Sequence, residues 1–202
     1  MQYVVVILLS YLLGTSNMAL YLSKLLHTDM TKGSGNLGAS NAVILMGWPA
    51  GVLVAVHDIG KAALAVFLAR LAFPDAPHIG AVAGVSSVLG HIFPFYLKFK
   101  GGKGFASYLG MALALNWKMA LVLMVVIAVV TVVFDYIVVG TATTVVVVPI
   151  WIGIATHSIV AALILLIATG VILFKHRENL ERLRNGTEIG LRSTMKKDKS
   201  KP

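Results

Sequence analysis

Apolar runs long enough to cross a bilayer constrain this chain more than any other feature. One extends from about Tyr3 to Leu26, a second from Trp48 to Phe73, and a third from His78 to Leu97. From Met119 to Phe174 the chain is apolar almost throughout. A helix spanning the hydrocarbon core needs about 20 such residues. Hydrophobic residues make up 58% of the 202 and charged ones 12%, against about 45–50% and 25% in soluble domains. Backbone polar groups in lipid must be satisfied within the chain, so even the Val-rich runs read as helices. The expectation is an all-α, polytopic integral membrane protein forming one domain over 1–202.

The third run ends at Lys98-Phe99-Lys100-Gly101-Gly102-Lys103-Gly104. The remainder divides into Phe105–Asn116, Lys118–Phe134, Tyr136–Ile154 and Ser158–Phe174, with breaks at Asp135-Tyr136 and Thr156-His157-Ser158. That makes seven transmembrane helices, or five as the alternative if the last region holds only two long crossings. Lys24 and Lys32, then Lys98, Lys100 and Lys103, then the nine basic residues from Lys175 onward fall on one side under either count. The positive-inside rule makes that side the cytoplasm and puts the N-terminus outside. Residues 175–202 are then a cytoplasmic basic tail beside anionic lipid. Nucleic acid is not the expected partner, because the tail has no aromatic residues to stack on bases. The first run lacks a basic leader and outlasts a signal h-region, so no cleaved signal peptide is expected. The absence of cysteine excludes disulfides and thiol chemistry.

Three polar elements lie at the expected cytoplasmic border. Lys32-Gly33-Ser34-Gly35-Asn36-Leu37-Gly38-Ala39-Ser40-Asn41 is rich in residues that allow close backbone approach and can bind oxygens without adding charge. It reads equally as a phosphate-binding loop or as a plain connection. Gly90-His91-Ile92-Phe93-Pro94 closes the third run. Gly101-Gly102-Lys103-Gly104 then precedes a short helix, where N–H groups and the macrodipole favour anions. Its spacing is not that of a nucleotide P-loop. Lys98 and Lys100 read as lipid-surface anchors, whereas Lys103, between glycines, fits that role less well. Lys175–Glu188 reads as an amphipathic helix closed by Asn185-Gly186, with His176 and Asn179 sharing a face. Glu181, Arg182 and Arg184 read as its solvated side.

Inside the second run, Asp58 and Lys61 stand one turn apart and can pair, beside His57. Ionisable groups at this depth are functional candidates, and a structural ion pair fits equally well. No two histidines have ligand spacing on one helix, so no metal is expected; no other cofactor is expected either.

These residues resemble a family, the bacterial acyl-phosphate:glycerol-3-phosphate acyltransferases. The resemblance covers nearly the whole length. It rests on Tyr11-Leu12-Leu13-Gly14, Gly33 to Asn41, Asp58 with Lys61, Gly90 to Pro94, Lys98 to Gly104, His176-Arg177-Glu178-Asn179 and Gly186-Thr187-Glu188. It implies a seven-span enzyme of the bacterial inner membrane with its active site facing the cytoplasm. Such an enzyme acylates the 1-hydroxyl of glycerol 3-phosphate from acyl phosphate, giving lysophosphatidic acid and phosphate for phospholipid synthesis. It also implies a functional link to a soluble enzyme that forms acyl phosphate. By motif position, Ser34, Lys103, His176 and Asn179 would be catalytic. Gly35, Asn36, Ser40, Asn41, His91, Gly101 and Gly102 would bind substrate. The proton of the attacking hydroxyl would pass to a donor phosphate oxygen, or to His176 as general base.

Three positions depart from the family pattern. Ile44 stands where an arginine is usual, Ser40 where threonine is usual, and Asn17 where proline is usual. The Ile44 change keeps open a paralogue that acylates a different acceptor. A rival from another class is a transporter or binding protein for phosphorylated metabolites. The Asp58/Lys61 pair favours that rival, and the clustering of glycine-rich loops at one border disfavours it.

Overall fold

A computed structural model describes residues 1–190 and Arg192. The tail lysines 196, 197, 199 and 201 lie outside the described residues. Among those described, the regular structure is helical: α1 (Gln2–Thr15), α2 (Met18–Leu25), α3 (Ala39–Met46), α4 (Trp48–Ala72), α5 (Ile79–Ile92), α6 (Phe105–Leu115), α7 (Trp117–Phe134), α8 (Ile137–Ala155), α9 (Ile159–Lys175) and α10 (Arg177–Arg184). A 3-10 turn, Phe95–Leu97, follows α5.

Among the described residues, five segments are long and apolar enough to cross a membrane: Gln2–Leu25, Trp48–Ala72, Ile79–Leu97, Trp117–Phe134 and Ile137–Ala155. Helix α9 with α10 makes a sixth, bent by 51°, and α6 is shorter. Polar caps set the boundaries between the late helices. Asn116 Oδ1 accepts from the Met119 N–H at 3.0 Å and starts α7. Ser158 Oγ accepts from the Ala161 N–H at 3.2 Å and starts α9.

Two features differ from the sequence expectation. The first run is not one helix, because Ser16 and Asn17 interrupt it. Asn17 stops α1 by capping α2, its Oδ1 accepting from the Leu20 N–H at 2.9 Å. The end of the first polar element is also helical, since α3 starts at Ala39. That puts Ser40 and Asn41 on a helical turn rather than in a loop.

Close helix packing depends on glycine where one backbone meets another. Gly14 of α1 lies against the backbone of Ser87, and Gly90 of α5 against that of Tyr11. Gly110 of α6 meets the backbone of Ile59 in α4. Small residues at these crossings let helices approach without the hydrophobic drive available in water. The main core joins α5, α6, α8 and α9 around Val88, Tyr108, Met111, Val145, Leu165 and Ile172, each with no measurable exposure.

Pro149 inside α8 has no N–H to offer the Val145 carbonyl four residues earlier. Neighbouring helices fill the vacancy. Tyr108 Oη donates to Val145 O at 3.1 Å and Thr169 Oγ1 donates at 2.6 Å. Such compensation is required wherever water is absent.

Candidate active site

The connection between α2 and α3, the segment before α6 and the α9–α10 bend converge on one cavity of about 610 Å³. Its wall carries four cations, Lys100, Lys103, Lys175 and Arg177, against two carboxylates, Asp29 and Glu178. Ser34, Gly35, Asn36 and Gly101 supply polar backbone and side chains. Leu20, Met30 and Leu37 form an apolar side. The balance suits a ligand with an anionic head and a hydrocarbon portion.

The Ser34 loop is folded by its own polar groups. Asp29 Oδ1 accepts from the Thr31 N–H at 3.0 Å and from Thr31 Oγ1 at 2.7 Å. Gly33 and Gly35 both take φ +65, a left-handed conformation that glycine adopts at little cost. Asn41 is fully buried behind the loop. Its Oδ1 accepts from the Ser34 N–H at 2.8 Å, and its Nδ2 donates to the carbonyls of Met30 (3.0 Å) and Lys32 (3.2 Å). Its amide is therefore committed to shaping the loop. Ser34 and Gly35 are exposed and Asn36 is half-buried. Ser40 is exposed on the first turn of α3, outside the cavity wall.

On the other side, Gly104 (φ +90) begins α6 in a left-handed conformation. Gly101 and Gly102 lie back against the end of α5: their N–H groups donate to Ile92 O (3.0 Å) and His91 O (3.2 Å). Lys103 then projects to Asn179, its Nζ donating a hydrogen bond to Asn179 Oδ1. The Asn179 Nδ2 donates to Glu188 Oε1 at 2.6 Å, and Arg182 Nε donates to Glu188 Oε2 at 2.7 Å. Burial, reinforced by the nearby Arg182 charge, pulls the Lys103 pKa below the ordinary lysine value.

Glu188 and Arg182 extend the site beyond the side chains singled out from sequence. Arg182, read there as solvated, instead pairs with Glu188. The signal was present in Asn185-Gly186: Gly186 at φ +69 reverses the chain and returns residue 188 to α10. Lys100, expected as a lipid anchor, contributes to the cavity wall.

His176 sits at the α9–α10 bend, 8% exposed. Its Nδ1 lies 2.9 Å from Ile172 O. A carbonyl can only accept, so Nδ1 carries the proton and Nε2 keeps a lone pair. Burial depresses its pKa more than the Ile172 carbonyl raises it, which favours neutral imidazole.

His91 is buried away from the cavity wall, its ring lying where a side chain at Gly102 would go. Its Nδ1 lies 2.9 Å from Lys61 Nζ, which is itself 2.8 Å from Asp58 Oδ1. The expected Asp58–Lys61 pair thus forms, with His91 attached. Ser34, Gly35, Asn36, Gly101 and Lys103 share the cavity, and Asn179 joins through Lys103. Asn41, His91 and Gly102 support the loops from behind.

The glycerol-3-phosphate acyltransferase family model matches residues 4–186. Glycerol-3-phosphate acyltransferases of Coxiella burnetii (strain CbuG_Q212) and Pelagibacter ubique (strain HTCC1062) are 37% and 35% identical to the chain over 190 residues. Each match covers 93% of this chain and 97% of the relative. The crystal structure of PlsY (YgiH), described as an integral membrane glycerol 3-phosphate acyltransferase, in its glycerol 3-phosphate form matches with a TM-score of 0.88 and 29% identity. That match covers 95% of this chain and 96% of the other. The lysophosphatidic acid form matches at 0.84 and 28%, covering 94% and 95%.

Proposed function

The chain belongs to the glycerol-3-phosphate acyltransferase family, and we propose that it moves a fatty acyl group from acyl phosphate to the 1-hydroxyl of glycerol 3-phosphate in the Ser34–Lys103 cavity. The observation that carries this reading is one cavity lined by a cationic set, a glycine-rich loop and an apolar side. Both substrates bear phosphate, and one bears a hydrocarbon chain.

In this reading Lys103, oriented by Asn179 and Glu188, holds a substrate phosphate. Ser34, Gly35 and Asn36 meet the other phosphate or the acyl carbonyl oxygen, where donors stabilise developing negative charge. The glycerol hydroxyl oxygen attacks the acyl carbon, and the bond from that carbon to the phosphate oxygen breaks. The hydroxyl proton passes to the departing phosphate, which leaves as inorganic phosphate with lysophosphatidic acid as the other product. Acyl phosphate is already activated, so positioning two bound substrates supplies much of the rate. His176, with a free Nε2 lone pair but outside the cavity wall, is the less favoured base. Leu20, Met30 and Leu37 offer the acyl chain an apolar side.

We further propose seven crossings in a bacterial inner membrane, with α6 and α9 as the short ones and the N-terminus outside. The cavity collects Lys100, Lys103, Lys175 and Arg177, and the positive-inside rule supports a cytoplasmic site. A soluble enzyme that forms acyl phosphate is the implied supplier of the donor.

Ile44 favours a second reading with another acceptor. It is 38% exposed on α3, and its side chain lies beside Gly33. The test is phosphate release by purified protein from palmitoyl phosphate. Release that depends on glycerol 3-phosphate supports the first reading. Release with another phosphorylated alcohol but not this one selects the second, and no release with any acceptor sinks both.

A further inference from the structure

We propose that Lys61, Asp58 and His91 are a buried positioning cluster that locks the two substrate-holding loops to each other through the break in the first span. The inference rests on the acyltransferase reading of the cavity, but its groups lie outside that cavity and take no part in the bond changes.

The break between α1 and α2 leaves backbone groups without helical partners in a region where water is scarce. Side chains from other elements fill them. Tyr96 Oη donates to Thr15 O at 2.6 Å. Lys61 Nζ donates to Ser16 O at 2.6 Å. Asn17, besides capping α2, donates from Nδ2 to Leu37 O at 3.3 Å. Leu37 lies in the Ser34 loop, so that loop is tied to the break.

The same ammonium reaches the other loop. Lys61 Nζ lies 2.8 Å from Asp58 Oδ1 and 2.9 Å from His91 Nδ1. His91 Nδ1 also lies 3.4 Å from Asp58 Oδ1, so the three side chains close a triangle. The three N–H groups of the Lys61 ammonium have Ser16 O, Asp58 Oδ1 and His91 Nδ1 within reach. His91 in turn supports Gly102 with its ring and its carbonyl, one residue before Lys103. Lys61 therefore bears on the Ser34 loop through Ser16 and Asn17, and on the Lys103 segment through His91. His57 closes the cluster, with Nε2 3.0 Å from Ser16 Oγ and Nδ1 3.4 Å from Asp58 Oδ1.

Asp58 and Lys61 are 2% and 5% exposed. A buried ion pair is weak evidence for stability, because apolar residues of similar volume often hold helices as well. An ammonium with three directed bonds does what they cannot: it fixes the distance between two loops.

The test uses full-length protein in lipid nanodiscs, after glycerol 3-phosphate-dependent release by the wild type has been measured. The Asp58→Asn/Lys61→Met variant removes both charges and leaves no unpaired ion. It is expected to fold and to lose tenfold or more in kcat/KM, with KM raised for both phosphorylated substrates. Asn17→Ser keeps a capping oxygen but loses the reach to Leu37. It is expected to keep the wild-type thermal midpoint and to raise KM at least threefold. The triple variant should lose less than the product of the two effects, because both act through the same break. Wild-type KM values in the folded double variant would overturn the proposal. If that variant does not fold, Asn17→Ser decides, and wild-type KM values there overturn it too. Inorganic phosphate affinity of the same proteins separates the two failures. Were wild-type turnover absent, weakened phosphate binding in Asn17→Ser would still support the cluster, and unchanged binding would reject it.

Discussion

Lys103 and Asn179, 76 residues apart in sequence, are joined by a hydrogen bond from the ammonium to the amide oxygen. That bond fixes which way the amide faces. Its oxygen accepts from Lys103, so its nitrogen must donate, and Glu188 accepts. Arg182 holds the second carboxylate oxygen. A lysine at the start of α6 is thus oriented by a chain of groups on and just after α10.

Lys103→Ala removes a cation from the cavity. Losing one preorganised charge-stabilising donor typically costs about 10²–10³ in rate. Turnover should fall at least about 100-fold while the thermal midpoint stays near the wild-type value. Wild-type phosphate release would remove Lys103 from the reaction.

Glu188→Gln keeps the shape of the side chain but removes its charge and its obligation to accept. Asn179 then loses its fixed orientation, and kcat/KM should drop about tenfold. Combining it with Asn179→Ala in a double-mutant cycle should give a coupling of about 0.5–3 kcal/mol. Additive effects would show that the two side chains act separately.

Burial lowers the Lys103 pKa, so its charge is lost at lower pH than for a free lysine, whose value is about 10.4. In the proposed role of Lys103, substrate anions bind the charged form. The kcat/KM profile should therefore fall on the alkaline side below that value. Lys103→Arg, with a side chain that stays charged in this range, should move or abolish that limb. An identical limb in the arginine variant would assign it elsewhere.

His176 carries a pH consequence for stability. Its folded pKa lies below the unfolded value of about 6.5, so the unfolded chain binds the proton more readily. Stability should fall as pH drops from about 6.5 toward the lower folded value. His176→Gln should flatten that part of the thermal-midpoint profile, and an unchanged slope would place its origin in another group.

Tyr108→Phe with Thr169→Val strips both donors from the Val145 carbonyl, which Pro149 already leaves without its helical partner. An unsatisfied buried acceptor costs about 1–3 kcal/mol. Thermal unfolding in detergent should show that loss, with specific activity of the folded fraction unchanged. Single substitutions should cost less, since one donor remains.

Legibility from sequence followed how local each signal was. The boundaries at Asn116-Trp117, Asp135-Tyr136 and Ser158 were readable because caps and breaks act within a turn. The helix closed by Asn185-Gly186 was readable for the same reason. The break at Ser16-Asn17 was hidden inside an apolar run, because its supports are Lys61 and Tyr96 from distant helices. Ser34, Lys103 and Asn179 stood out by residue type and setting. Arg182 looked like a solvated helix position, since Asn185-Gly186 signals that the chain turns but not which side chain the returning Glu188 meets.

By itself the sequence determined an all-helical chain with several membrane-length segments and a set of glycines, lysines and amides between them. Hydrocarbon demands internal hydrogen bonding, and hydrophobic length reports that demand directly. Only the tertiary structure decided which of those polar residues face the cavity and which support it from behind. Asn41 and His91 also carry groups that can bind phosphate, as Asn36 and Lys103 do. Their hydrogen bonds are already taken by the loops and helices around them, and those partners become neighbours only when the helices pack.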